Sequence, residues 1–259
     1  MKNSVSSDNC FKMLRKVDLI LKQKSIDYWL DQGTLLGLTR EGDLIEWDWD
    51  IDLSAKFENT KQIIDLVSYI QSNGFFAKYI EKSHAIRLEP KDKYFGWRHI
   101  DIHFHQLHDD AYTTFFYEFD DQSIRQSLLM WFVVKFDWIE RKLGKSMPSR
   151  RQVFFDPDTN WTLQQSPPRN KFRGAIARVA YRIKNTFYNF RLRYFCTYVE
   201  VNTPAKWFDQ FEQLAIGEGQ YAVPIKKEEY LAFKYGENWQ QPVKDYDWHN
   251  DGAVKNDSD

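Results

Sequence analysis

The chain has 259 residues and a net charge of −1, with 42% hydrophobic and 28% charged residues. This composition excludes intrinsic disorder over most of the chain, and the balanced charge is atypical of a dedicated duplex-DNA binder. Aromatic residues make up 17% of the chain, which suits either an aromatic-rich core or stacking on sugars, bases or lipid. The two cysteines, Cys10 and Cys196, do not make the disulfide framework of a small secreted domain.

Targeting and membrane-spanning signals are absent from the sequence pattern. Residues 1–9 are polar and lack the apolar stretch of a secretory signal. The longest apolar run, residues 128–134, is far shorter than the roughly 20 residues that span a bilayer. We therefore expect a cytoplasmic protein, either soluble or associated with the inner face of the membrane.

The order of the predicted elements indicates an α+β fold. Helical spacing of apolar residues predicts a helix over 8–24, followed by a short strand over 26–30. Thr34 is predicted to cap a short helix that runs to Thr39. The remaining pattern predicts helices over 60–72 and 123–143 and strands over 50–54, 75–80, 84–89, 98–107 and 112–119. We expect a catalytic core over 1–120, a largely helical region over 121–244 and a flexible tail over 245–259.

The most informative feature is a run of acids at alternate positions. In a strand, Asp48, Asp50 and Asp52 would point to the same face, because side chains alternate. Carboxylates on one face repel each other unless a cation lies between them, and Mg²⁺ prefers such hard oxygen ligands. Asp101 has the same apolar–Asp–apolar pattern on a later predicted strand and would supply a third acid. The alternative is a solvated acidic edge strand.

These acids belong to a longer motif, GTLLGLTREGDLIEWDWDID, at residues 33–52. A Gly-Thr turn, then Asp-h-Asp-h (h is hydrophobic), then a lone Asp on a further strand resembles the nucleotidyltransferase fold. More narrowly, the segment resembles the LicD/fukutin family of phosphotransferases. Residues 223–224, 229–231 and 235–239, with Pro242, resemble that family's closing motif, so the resemblance spans about residues 27–242.

The resemblance implies a mixed sheet flanked by helices and a metal-dependent phosphotransferase. Family members move a phosphoalditol or phosphocholine group from a CDP-activated donor to a hydroxyl of a cell-surface glycan, such as a teichoic-type polymer or lipopolysaccharide. Carried over to this sequence, the divalent metal, Mg²⁺ or alternatively Mn²⁺, is held by Asp50, Asp52 and Asp101, with Asp48 as a further candidate. These three acids are then also the catalytic residues, and Asp101 is the candidate to take the acceptor's proton.

Four residues are candidates to contact the donor phosphates. Gly33 and Thr34 match the turn that faces the donor, where a glycine lets the backbone approach. Arg40 also matches the family motif and is a candidate phosphate clamp. Its alternative is a surface arginine that pairs with Glu41 or Asp43. Arg87, on a predicted strand, is a further phosphate candidate.

Three histidines accompany Asp101 on one predicted strand face. An imidazole cluster of His99, His103 and His105 suggests zinc or another transition metal, but zinc ligands usually come from more than one element. His103 is a candidate to assist acceptor deprotonation. The alternative is that these histidines form hydrogen bonds in a polar cleft.

Residues 171–194 combine an apolar helical stripe with basic flanks. Eight basic residues and no acid occur over 169–193. This pattern predicts a helix that lies on anionic lipid or grips an anionic polymer. The alternative is a core helix whose long side chains reach water. The basic residues selected as candidates are Arg173, Arg178, Arg182, Lys184 and Arg191.

Two other functions remain open at this point. A true nucleotidyltransferase would have the same metal site but would release pyrophosphate instead of CMP. A non-catalytic member would bind a glycan or a membrane through its aromatic and basic residues. The sequence contains no recognisable nucleic-acid-binding motif, so we expect no nucleic-acid partner.

Overall fold

The computed structural model describes residues 7–90, 98–119, 124–143 and 194–254, together with individual helical residues between 175 and 190. The helices are α1 (Ser7–Gln23), α2 (Gln32–Arg40), α3 (Thr60–Ser72), α4 (Ile124–Leu143) and α5 (Lys227–Tyr235). The strands are β1 (Tyr28–Leu30), β2 (Asp50–Lys56), β3 (Phe75–Ile80), β4 (Ala85–Pro90), β5 (His99–His108), β6 (Ala111–Phe119), β7 (Cys196–Pro204), β8 (Phe211–Ile216) and β9 (Gly219–Pro224).

The central sheet is mixed and has the strand order β1-β2-β5-β4-β3. Strands β2 and β5 are parallel, whereas β1 on β2, β4 on β5 and β3 on β4 are antiparallel. Strand β6 pairs with the end of β5 and with β7, and β8 and β9 form a separate hairpin. Helices and a mixed sheet in this arrangement confirm the predicted α+β class.

The expectation of a largely helical C-terminal half is not confirmed. Within the described residues after Phe119, β7, β8 and β9 accompany α4, α5 and the helical residues between 175 and 190. The hairpin shows why these segments are strands: along β9, buried residues such as Tyr221 and Val223 alternate with less buried ones at period two. That period is the signature of a half-buried strand.

The first turn of α2 differs from the prediction. The helix begins at Gln32, two residues before Thr34, and its N-cap is Asp31, whose side chain accepts a hydrogen bond from Gln32 N. Asp31 is the better cap because a carboxylate accepts backbone N–H bonds and also complements the positive end of the helix. Thr34 lies inside the helix, where its hydroxyl has another partner described below.

Alternation along β2 and β5 separates the core from the polar face of the sheet. Ile51, Leu53, Ile100 and Ile102 are fully buried on one side. The acids and histidines at the intervening positions point to the other side. The parallel pairing therefore assembles the predicted acidic face from two strands.

The chain forms two compact units. The first consists of Met1–Phe116 and Val199–Asp259, and the second is Tyr117–Tyr198. In the second unit, α4 packs on the helical residues of the 175–194 segment, with the rings of Phe132 and Phe187 stacked at 4.9 Å. None of the helices in the described ranges has both the length and the hydropathy needed to cross a bilayer.

Part of the predicted tail packs against the rest of the first unit, and residues 255–259 lie outside the described residues. Asp251 and Ala253 are buried, and Val254 forms a β-bridge with Val201 of β7. The cause is an ion pair between Asp251 and Lys234 of α5, which gives the buried carboxylate a partner.

Candidate functional site

The carboxylate cluster, defined as Asp48, Asp50, Asp52 and Asp101, is built by the register of β2 and β5. Asp50 lies opposite His99 and Asp52 lies opposite Asp101 in the parallel pair. Because paired residues in neighbouring strands share a face, Asp50, Asp52 and Asp101 lie together. Asp48 lies two residues before β2, outside the strand alternation, and its side chain interacts with that of Asp50. Asp52 and Asp101 are buried, whereas Asp50 is half-buried at the start of its strand.

Asp50, His99 and Asp101 form a candidate metal triad. One ligand atom of each residue lies within 4.8 Å of the others. His99 Nε2 is 3.5 Å from Asp50 Oδ2 and 3.7 Å from Asp101 Oδ2. The ligands come from two strands, which removes the objection that the histidines alone would offer ligands from one element. His99 is thus a candidate ligand that the family motif did not assign.

Arg87 binds Asp101 directly. It lies opposite Asp101 in the antiparallel pair of β4 and β5. Its Nε donates to Asp101 Oδ1 at 2.9 Å and one terminal nitrogen donates to Oδ2 at 2.6 Å. This bidentate hydrogen bonding fixes the plane of the carboxylate. Arg87 was predicted to contact donor phosphate, whereas its contact in the structure is with Asp101.

Asp48 approaches the backbone of α2 at Gly33. A Cβ atom on residue 33 would lie 2.4 Å from Asp48 Oδ2 and 3.9 Å from Asp52 Oδ2. Only glycine therefore permits the first turn of α2 to reach these carboxylates. The contact that requires glycine at this position is thus with Asp48, whereas the predicted approach to donor phosphate stays a prediction.

Thr34 connects the first turn of α2 to β2. Its buried hydroxyl accepts a hydrogen bond of 2.8 Å from Asp52 N. The backbone N–H of Asp31 donates to Asp52 O at 3.2 Å. Two bonds therefore hold the start of α2 at Asp52.

The carboxylates differ in their affinity for protons. Burial and the charge of Asp50 raise the pKa of Asp48 and that of Asp52 to about 7. Burial acts in the same direction on Asp101, but the interactions with His99 and Arg87 outweigh it and hold its pKa below the usual range. Asp101 is therefore a poor proton acceptor, which argues against the role predicted for it in deprotonation.

The histidines of β5 have different environments. Despite its burial, interaction with Asp101 and Asp50 raises the pKa of His99 to about 9. His103 Nε2 lies 3.7 Å from Asp52 Oδ1, which favours the charged imidazole and raises its pKa in spite of burial. Burial lowers the pKa of His105 to about 3, so this side chain is neutral at physiological pH.

Arg40 lies at the opposite end of α2. Seven residues of α-helix place its Cα about 10 Å along the axis from Gly33. Its guanidinium pairs with Glu41. The pairing with Glu41 that the sequence offered as the alternative is present in the structure, although the Arg40 side chain is only 7% exposed and does not lie on the surface.

The basic helix is described only in part. Arg182 is exposed and Lys184 is half-buried. Arg173, Arg178 and Arg191 lie outside the described residues.

Sequence reasoning missed two residues that shape the site. Arg98 is buried and donates to Ile45 O at 2.8 Å, which holds the segment before Asp48, and its charge acts on the Asp48 carboxyl. Asp31, the helix cap, accepts from Ser54 of β2 at 2.7 Å. An Asp directly before an apolar helical pattern is a capping signal, so Asp31 could have been found from the sequence.

The residues present fit a divalent cation. Two carboxylates and one imidazole nitrogen converge, and beside them lie Asp48 and Asp52, whose pKa values are raised first by burial and then by the charge of Asp50. Carboxylate oxygens suit Mg²⁺ and Mn²⁺, and an imidazole ligand is more typical of Mn²⁺ or Zn²⁺ than of Mg²⁺.

Comparison with known proteins gives local similarities. The mouse and human proteins named ribitol 5-phosphate transferase FKRP are each 41% identical over 54 residues, which cover 19% of this chain and 11% of those proteins. The Rickettsia typhi protein RT0683 is 27% identical over 109 residues, covering 42% of this chain and 35% of that protein. The chain thus spans only a minor part of these relatives. The solved structure of the antibiotic-resistance factor ANT(2'')-Ia aligns with 13% identity and a TM-score of 0.30, over 71% of this chain and 91% of that one.

A family model covers the segment that contains the carboxylate cluster. Residues 25–138 match the model described as LicD/FKTN/FKRP, nucleotidyltransferase domain. The match includes the first turn of α2, both strands of the cluster and Arg87. The resemblance to the LicD/fukutin family is thereby confirmed over residues 25–138, which match the model of its nucleotidyltransferase domain.

Proposed function

We propose that this chain is a metal-dependent phosphotransferase that moves a phosphoalditol or phosphocholine group from a CDP-activated donor to a hydroxyl of a cell-surface glycan. The observation that carries the proposal is the triad of Asp50, His99 and Asp101, with Asp52 of the same cluster placed against the first turn of α2. This arrangement combines a cation site with a place for phosphate oxygens. The family match and the local similarity to a ribitol 5-phosphate transferase support the reaction class.

In this proposal the carboxylate cluster and His99 hold the cation. Asp50 and Asp101 are the primary ligands together with His99, whose proton the cation would displace on binding, and Asp52 and Asp48 complete the acidic wall. A bound Mg²⁺ or Mn²⁺ would neutralise the donor diphosphate and stabilise the departing CMP. Arg87 keeps the Asp101 carboxylate ionised and fixes its orientation relative to Asp50 and His99.

The first turn of α2 is proposed to receive the donor phosphates. The backbone N–H groups at the start of a helix have no acceptor in the preceding turn, and they carry a partial positive charge. Gly33 and Thr34 lie in this turn beside Asp48 and Asp52. Phosphate bound here would lie against the cation held by the cluster.

A carboxylate other than Asp101 is proposed to accept the proton of the attacking hydroxyl. A general base is most effective when its pKa lies near the working pH. In the metal-free protein Asp48 and Asp52 have pKa values of about 7, so among the four acids of the cluster they come nearest to this condition. His103 stays a candidate to assist, since its imidazole lies beside Asp52.

The test is CMP release from single donors. Purified protein is incubated with CDP-ribitol, CDP-glycerol or CDP-choline, with Mg²⁺ or Mn²⁺, and with teichoic-type, lipopolysaccharide or crude glycolipid acceptor. Metal-dependent CMP release from one donor, abolished by EDTA, supports the proposal. Pyrophosphate release from a nucleoside triphosphate would instead indicate nucleotidyl transfer. Neither product, with glycan binding retained, would indicate a non-catalytic member.

We propose in addition that the second unit contacts an anionic lipid surface at the inner face of the membrane. Leu128, Trp131 and Trp138 of α4 follow one helix face and are each more than half exposed. Ile176, Val179 and Phe190 of the predicted interfacial helix are also exposed. Exposed tryptophans beside a segment rich in bases and free of acids favour a lipid–water interface over solvent.

A further inference from the structure

A buried polar network lies beside the carboxylate cluster and is centred on Asp31, which is 1% exposed. Oδ1 of Asp31 accepts hydrogen bonds of 2.7 Å from Gln32 N and from the hydroxyl of Tyr230. Oδ2 accepts from the hydroxyl of Ser54 at 2.7 Å. Tyr230 lies on α5, 199 residues away in the sequence, so the C-terminal helix supplies one of the three donors.

A cation balances the buried charge of this network. Lys234 of α5 is 3% exposed, and its Nζ lies 3.2 Å from Asp251 Oδ2 and 4.0 Å from Asp31 Oδ1. A buried ammonium group is tolerated only with such partners. Gly252 N also donates to Lys234 O at 3.0 Å, so α5 and the segment around Asp251 hold each other.

The direction of the remaining hydrogen bonds follows from the donors available. The single hydroxyl proton of Ser54 is given to Asp31, because an ionised carboxylate can only accept. The contact of 2.9 Å between Ser54 Oγ and His105 Nε2 must then be donated by His105. The neutral His105 therefore carries its proton on Nε2. Every hydrogen bond named here is then donated to Asp31 or to Ser54, which in turn donates to Asp31.

Asp31 connects this network to the site. It caps α2, and the next residue, Gln32, has φ of 48°, a left-handed conformation that is strained for a side chain other than glycine. A strained residue persists only where its surroundings hold it. Two hydrogen bonds, from Asp31 N to Asp52 O and from Asp52 N to Thr34 Oγ1, then join this start of α2 to β2. The position of the first turn of α2 thus depends on how Asp31 is held.

We propose that Tyr230 is a positioning residue for the carboxylate cluster, acting through Asp31 on the first turn of α2. Lys234 and Asp251 supply the charge balance that lets Asp31 stay buried and ionised. The functional meaning of this inference rests on the proposed phosphotransfer, but the mechanical link from Tyr230 to Asp52 does not. The C-terminal helix would then be part of the site's architecture without touching the reactants.

The test compares Tyr230→Phe with Tyr221→Phe. Both tyrosines are fully buried, but the hydroxyl of Tyr221 has no hydrogen-bond partner among the residues that the structure describes. Amide hydrogen exchange is followed in peptides covering residues 31–36 and Asp52. We expect exchange there to be about tenfold faster in Tyr230→Phe, because a hydrogen bond to a carboxylate is lost, and unchanged in Tyr221→Phe.

Turnover of the CDP-linked donor supplies a second readout. We expect Tyr230→Phe to lower kcat/KM about tenfold under conditions in which the variant is fully folded. We expect Tyr221→Phe to leave kcat/KM unchanged. Equal exchange at residues 31–36 in the two variants would overturn the inference. So would a uniform increase that includes α3 and β3, because it would mean a general loss of stability. If the parent protein turns over no donor, the proposed function fails, and the exchange comparison still decides the mechanical link.

Discussion

Gly33 and Asp48 lie so close that a Cβ atom at position 33 would be 2.4 Å from Oδ2 of Asp48. No side chain can be added there without turning the carboxylate away or moving the start of α2. The contact therefore couples the turn proposed to receive phosphate to the acidic wall that faces it. A substitution at Gly33 can therefore disturb the site while the stability of the fold is kept.

Gly33→Ala should impair the site with little loss of stability. The added methyl group displaces Asp48, whose carboxylate can rotate, so we expect CMP release to fall by about tenfold or more. The matched control is Gly42→Ala. Gly42 has open space around its Cβ position but a φ of 73°, so this change should lower stability by about 1 kcal/mol and leave the rate unchanged. Equal rate losses in the two variants would contradict the assignment of Gly33 to the site.

Asp50→Asn should remove activity through the cation site. An amide at this position removes one negative charge from the triad. Loss of a residue that only supports a metal ligand typically lowers metal affinity or activity by about 10–100-fold, and loss of a ligand should lower them further. We expect at least a 100-fold loss of CMP release and weaker Mn²⁺ binding by isothermal titration calorimetry. Asp65→Asn, an exposed acid on α3, is the control and should behave like the parent. Retained turnover in Asp50→Asn would exclude the triad.

Much of this site was accessible from the sequence because strands alternate with period two. That rule placed Asp48, Asp50 and Asp52 on one face, and Asp101 was added from its matching pattern on a later strand. The structure puts Asp50, Asp52 and Asp101 together through the pairing of β2 and β5, whereas Asp48 lies before β2 and outside the alternation. The boundaries of α3 and β3 were also predicted, since periodicity and the Asn73-Gly74 stop are local signals. The α+β class followed from the order of such elements.

The remaining features depend on register and on distant contacts. The pairing of Arg87 with Asp101 follows from how β4 aligns with β5, which no local pattern specifies. The contact between Tyr230 and Asp31 joins residues at opposite ends of the chain. Thr34 was misassigned as a cap because its true partner, Asp52 N, belongs to a strand 18 residues later.

Asp48→Asn should stabilise the metal-free protein at alkaline pH. In the folded state burial and Asp50 raise the pKa of Asp48 to about 7, against an ordinary value of 3.8 for an aspartate side chain. A carboxyl whose folded pKa is raised contributes stability that is present below about pH 4 and is lost as pH rises through 7. An amide cannot ionise, so it avoids that loss. We expect a gain on the order of 1–2 kcal/mol at pH 8 that disappears below about pH 4.

Urea unfolding in EDTA at pH 8 and at pH 4 measures this effect. The same comparison with Asp65→Asn should show no gain at pH 8, because that acid lies on the surface of α3. A gain of equal size at both pH values would mean that the ionisation of Asp48 is not its source.

The lipid-facing surface can be tested by removing its tryptophans. Trp131 and Trp138 of α4 are 53% and 56% exposed, and their replacement by Ser removes aromatic area that would enter the interface. We expect the double variant to bind vesicles of phosphatidylglycerol and phosphatidylcholine about tenfold more weakly in a sedimentation assay. Trp49→Ser is the control, since Trp49 is 60% exposed but belongs to the first unit.

Salt and charge reversal separate electrostatic attraction from insertion. Arg182 is exposed, so Arg182→Glu should weaken binding at low salt and have less effect at about 0.5 M salt, where surface charges are screened. The tryptophan variants should lose binding at both salt concentrations, because apolar insertion is not screened. If Trp49→Ser weakens binding as much as the α4 double variant, or if vesicles without anionic lipid bind equally well, the second unit is not the lipid contact.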